Sequence, residues 1–108
     1  MSATMAVHNL QRLTQFYKAG YQNRFLDSAL HKVVSHQIQR DEADLERVEA
    51  VLADFERQYS LTSDEFWARY QAGQMSDDAD LVEWIAFCRM RRRLVERLRI
   101  LRGDGTDA

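Results

Sequence analysis

The stretch His31 to Tyr59, HKVVSHQIQRDEADLERVEAVLADFERQY, decides the fold. Val34, Ile38, Leu45, Val48, Leu52, Phe55 and Tyr59 recur in alternating steps of four and three residues. That spacing lays apolar side chains along one stripe of a helix that packs lengthwise against another. One slot of the stripe falls on a charged residue, Asp41. The helix is expected from about Asn23 to Tyr59, and at 1.5 Å per residue it would be roughly 55 Å long. A helix of that length needs a second one beside it.

Working outward, Thr62-Ser63-Asp64-Glu65 reads as a capping box, with the Thr62 hydroxyl and the Glu65 carboxylate each accepting the other's backbone N–H. A short helix from Ser63 to Ala72 follows, anchored by Phe66, Trp67 and Tyr70 and stopped by Gly73. The acids Asp77, Asp78 and Asp80 cap a fourth helix that runs to about Arg102, with Gly103 as its stop. Its apolar positions include Leu81, Trp84, Ile85, Phe87, Cys88, Leu94 and Leu98. Upstream, Leu10, Leu13, Phe16 and Tyr17 mark a first helix from about Val7 to Ala19, closed by Gly20. The fold expected is all-α: a long antiparallel, coiled-coil-like hairpin with a short helix at the bend and an N-terminal helix. Residues 1–103 are expected to form one helical domain and 104–108 a frayed tail.

Composition agrees. The 108 residues contain no proline and four glycines, against 45% hydrophobic and 30% charged residues, which disfavours a turn-rich β protein. Net charge is −2, but its distribution is uneven. Seven acids lie between Asp41 and Glu56, and seven arginines between Arg89 and Arg102. Antiparallel packing would set the acidic flank beside the basic one, which selects orientation more than it stabilises, since exposed pairs contribute roughly 0–1 kcal/mol each. The lone Cys88 fits a reducing compartment, and the apolar stretch from Leu81 to Cys88 is too short to span a bilayer. A cytoplasmic protein without a membrane partner is expected.

No catalytic, cofactor-binding or metal-binding set is legible. His31 and His36 do not share a helix face, His8 is remote, and Cys88 on an apolar face reads as a core residue. No glycine-rich phosphate loop or nucleophile elbow is present. The residue types suited to partner binding are Trp67, Tyr70, Arg89, Arg92 and Arg93, because aromatic rings and arginines are enriched at binding hot spots. A second reading uses the arginine-rich helix, with Arg91 to Arg93 at its centre, to neutralise phosphates, helped by Arg12, Lys18, Arg24 and Lys32. The acidic segment beside it opposes that reading. A third is a structural coiled-coil adaptor, with homodimerisation through the long helix.

Several stretches together resemble a family of small, largely uncharacterised bacterial and archaeal proteins. They are Phe55-Glu56-Arg57-Gln58-Tyr59, Leu61 to Phe66, Arg69-Tyr70-Gln71-Ala72-Gly73 and Asp77 to Trp84, with Tyr17 to Tyr21 and Phe25 to Leu30 upstream. The family pattern is FExxYxMSSEEFYxRFxxGELGDDxDFxEW, and the similarity covers most of residues 16–101. Several such proteins resemble the antitoxin halves of two-gene toxin–antitoxin modules, which implies a protein partner, a small toxin encoded nearby. No catalytic residues carry over. Within the motif, Thr62, Glu65, Phe66, Arg69, Gly73, Asp80, Glu83 and Trp84 read as hairpin-forming residues. Phe66, Trp84 and Tyr59 are spaced to meet at the helix junction, Arg69 to reach the acids at 77–80, and Glu83 to sit in the first turn of the last helix. Gln74-Met75-Ser76 replaces the family's Glu-Leu-Gly, which puts a glycine-dependent turn there in question.

Overall fold

In a computed structural model, residues 2–76 and 78–103 are described. The expected tail 104–108 and the cap residue Asp77 lie outside them. Four helices follow in order: α1 (Ala3–Lys18), α2 (Arg24–Tyr59), α3 (Ser63–Gln71) and α4 (Ala79–Leu101). There is no strand among the described residues.

Each helix begins and ends where the local chemistry dictates. Ser2 accepts the Met5 N–H at 3.2 Å, so α1 starts a turn earlier than its apolar pattern suggests. Asn23 Oδ1 accepts the Leu26 N–H at 2.8 Å at the head of α2. After α1, Gly20 takes φ +95°, and the Tyr21 N–H reaches back to the Phe16 carbonyl at 3.2 Å. Gly73 does the same after α3, with the Gln74 N–H on the Arg69 carbonyl. Both are left-handed caps that only glycine enters without a Cβ penalty. At the end of α2 the same cap is made by a serine: Ser60 has φ +50°, and the Leu61 N–H meets the Glu56 carbonyl. Ser76 does not adopt this conformation, so the turn after α3 is made at Gly73.

The chain divides into two compact units, one ending at Ser35 and the other starting at His36. In the first, Tyr17 donates to Asp27 at 2.6 Å and Phe16 stacks on Tyr21. No residue of α1 is buried, and Met5, Val7, Leu10, Tyr21, Phe25 and Val33 are exposed.

The second unit is the hairpin. Its core is Val48, Leu52 and Phe55 from α2, Phe66 from α3, and Leu81, Trp84, Ile85 and Cys88 from α4. Cross-helix partners run in opposite senses: Tyr59 of α2 donates to Asp80 of α4, Phe55 stacks on Trp84, and Asp41 pairs with Arg97. Partner numbers rise along one helix as they fall along the other, so α2 and α4 are antiparallel. The seam expected from spacing is the buried face over Val48, Leu52 and Phe55, whereas Val34 and Tyr59 are exposed.

Trp84 closes the junction. Its ring lies 3.9 Å from that of Phe66, nearly parallel, and 5.5 Å from those of Phe55 and Tyr59. Its indole Nε1–H donates to Ser63 Oγ at 3.0 Å, and the Ser63 N–H donates to Glu56 Oε2 at 2.7 Å. Ser63 and Trp84 are both fully buried, so one serine ties the start of α3 to both long helices.

Several local expectations need correction. Thr62 Oγ1 does accept the Glu65 N–H at 3.1 Å, but the reciprocal half of the capping box is absent. Glu56, seven residues before Ser63, supplies the second acceptor because α2 ends beside the new helix. Arg69 forms no ion pair with Asp78 or Asp80 among the described residues; Asp80 is taken by Tyr59. Asp78 occupies the cap position of α4 without a side-chain cap hydrogen bond, accepting instead from Ser76. Since α4 starts at Ala79, its first-turn acid is Asp80, and Glu83 lies one position beyond that turn.

Asp41 is where the seam is polar, and it is almost completely buried. Arg97 Nε and Nη2 donate to its two oxygens at 2.7 and 3.0 Å, and Gln37 donates to it at 2.8 Å. Nearby, Arg102 pairs with Glu42 at 2.7 Å. The Arg97 hydrogen bonds hold the Asp41 carboxyl below its usual pKa, outweighing the opposing effect of burial. The folded chain therefore releases this proton more readily than the unfolded chain. Stability from the pair is complete above the unfolded value of about 4 and is lost as pH falls through the depressed folded value. Urea midpoints measured from neutral pH to about pH 3 should show the gap between wild type and Asp41→Asn narrowing with acidification. A gap independent of pH would refute the assignment.

Candidate functional site

α3 is a helix of nine residues, and its anchor Phe66 points into the core. The next residue, Trp67, is rotated about 100° from Phe66 and Tyr70 about 40°, so both sit toward the edge of the core rather than at its centre. Each is half-buried, packed on one side against the core cluster. Their rings lie 5.7 Å apart, tilted at 46°.

α4 supplies the other half. The Arg92 guanidinium lies 4.7 Å from the Trp67 ring centroid, and that of Arg89 lies 5.9 Å from both Trp67 and Tyr70. Arg89 Nη2 also donates to the Tyr70 hydroxyl at 3.2 Å. Guanidinium over an aromatic face is attractive by roughly 0.5–1 kcal/mol at exposed sites.

Four of the five residues expected to bind a partner, Trp67, Tyr70, Arg89 and Arg92, are thus brought into one patch. Arg93 is not in contact with the rings; it borders a groove beside α4 with Val48, Val51, Phe87, Met90 and Leu94.

The arginine run of α4 is divided in use. Arg91 pairs with Asp64 at 3.0 Å, Arg97 with Asp41, Arg99 with Glu96 and Arg102 with Glu42. Arg89, Arg92 and Arg93 have no carboxylate partner among the described residues. The sequence shows seven alike arginines; which are neutralised depends on acids up to 60 residues away.

No group of histidine, cysteine and acidic side chains that could hold a metal ion occurs among the described residues. His31 faces Ser35 at 3.5 Å. Cys88 is buried in the core, and burial pushes its thiol above the usual pKa, which disfavours the nucleophilic thiolate. Among the described residues no helix is long and apolar enough to cross a membrane.

No family model, no curated protein and no solved structure matches this chain.

Proposed function

We propose that this chain is a non-enzymatic binding module for a protein partner, acting in the manner of an antitoxin that neutralises a small toxin encoded nearby. The observation that carries the reading is the Trp67–Tyr70–Arg89–Arg92 patch. It gathers, at one accessible place, the residue types that dominate binding energy at protein interfaces. The rings are held by the core behind them and by the arginines beside them, so little conformational freedom is lost when a partner docks. The antitoxin part of the reading draws on the resemblance of the hairpin motif.

The product of the adjacent reading frame, purified and titrated against this chain, tests it. Trp67→Ala is expected to weaken that complex at least about 30-fold, equivalent to about 2 kcal/mol, with helix content by circular dichroism retained. Absence of binding, together with no relief of the neighbour's toxicity on co-expression, would remove the antitoxin reading.

Two other readings each have one supporting observation. The unpaired Arg89, Arg92 and Arg93 favour a DNA-binding regulator, for which a mobility shift at about 100 mM salt, lost on replacing Arg91 to Arg93, is the test. The unburied α1 favours an oligomerising helical adaptor. A strict monomer in sedimentation would end that one.

A further inference from the structure

Around α4, at about 100° per residue, Arg92, Arg89 and Arg93 fall side by side within one sector of about 100°. The paired Arg91 lies outside it. On one edge of this sector stands Trp67, stacked under Arg92. On the other edge Arg93 opens onto a groove of about 500 Å³ whose apolar lining, Val48, Val51, Phe87, Met90 and Leu94, is flanked by Asp44 and by the carboxylate-paired Arg47 and Arg97. Three uncompensated guanidinium groups and an apolar groove therefore form one continuous strip.

We infer that this strip binds an acidic amphipathic segment of a partner protein, its carboxylates meeting Arg89, Arg92 and Arg93 and an apolar side chain entering the groove. The inference deepens the protein-binding reading above and rests on it. Charge complementarity selects the carboxylates: the other arginines of this run are each paired with an aspartate or glutamate, whereas these three have no carboxylate partner among the described residues, Arg89 giving one N–H to the Tyr70 hydroxyl. The groove selects protein over nucleic acid. Its floor offers apolar surface to an aliphatic or aromatic side chain, whereas a phosphate backbone has none to insert.

The test uses the full chain and two labelled synthetic helical peptides of about 20 residues. One has a leucine stripe flanked by glutamates; the other has the same stripe flanked by lysines. Fluorescence anisotropy is expected to show the acidic peptide binding at least about tenfold more tightly, with affinity falling as salt rises. Replacing Arg89, Arg92 and Arg93 together by glutamine should abolish the preference. Met90→Asp, at an exposed position lining the groove, should weaken the acidic peptide while leaving the fold unchanged by circular dichroism. Equal binding of the two peptides, or an acidic preference that survives the triple replacement, overturns the inference. So does a DNA duplex of equal length binding more tightly than the acidic peptide. Should the neighbouring gene product bind through Trp67 yet be indifferent to the triple replacement, this inference fails while the protein-binding reading stands.

Discussion

Trp84→Ala should be the most damaging single change in the hairpin. Removing a fully buried indole costs about 3–5 kcal/mol through lost burial and the cavity left behind, a large share of the roughly 5–15 kcal/mol that holds a domain of this size together. The junction magnifies the effect because three rings from two other helices stack on that one indole. With it gone, Phe55 and Phe66 face a void, and Ser63 loses the donor on its hydroxyl. Ser63→Ala separates the contributions. It keeps the ring stack but leaves the indole N–H buried without an acceptor, at about 1–3 kcal/mol. Urea denaturation should rank wild type above Ser63→Ala and Ser63→Ala above Trp84→Ala. A Trp84→Ala midpoint equal to wild type would mean that the junction is not the core.

The second large effect is an asymmetry between two partners. Arg97→Ala strands the Asp41 carboxylate, almost fully buried, with Gln37 as its remaining hydrogen-bond donor. Losing one partner of a buried pair typically costs about 3–5 kcal/mol, and the half-exposed Arg97 side chain places this case at the lower end of that range. The reverse replacement, Asp41→Leu, leaves Arg97 free to turn its charge to solvent and puts an aliphatic group into a slot that the four-three spacing already marks as apolar. Asp41→Leu is therefore expected to be close to neutral, or stabilising, where Arg97→Ala is strongly destabilising. Thermal melts of the two variants side by side decide it; equal losses would show that the charge itself, and not the stranded carboxylate, carries the effect.

What could be read from the sequence divides along the range of the interactions. The four helices follow from periodicity and caps, both local, and the glycine stops at positions 20, 73 and 103 lie just past helix ends. The antiparallel return was legible because the acidic and basic blocks are long. The specific partners were not. Asp41 reads as a flaw in the stripe until Arg97, 56 residues on, is placed against it. Glu56 gives no sign that it will take the Ser63 N–H, because that depends on the angle at which the chain leaves Ser60. Trp67 and Tyr70 have the composition of either core or interface, and the register of a nine-residue helix is what leaves them at the edge. Arg93 carries the same residue-type signal as Arg92, yet one residue of helical rotation carries it to the groove.

The buried carboxylate at position 41 also bears on how many ways the two long helices could have zipped together. A stripe of interchangeable aliphatic residues tolerates slippage by a heptad, since each side chain finds an equivalent neighbour. Here a slip of seven would set Asp41 opposite Met90, an unpaired charge against a thioether, while Arg97 searched for a partner it no longer faced. One off-pattern residue thereby makes misaligned pairings costly, and the alignment that survives is the one that presents Trp67 beneath Arg92.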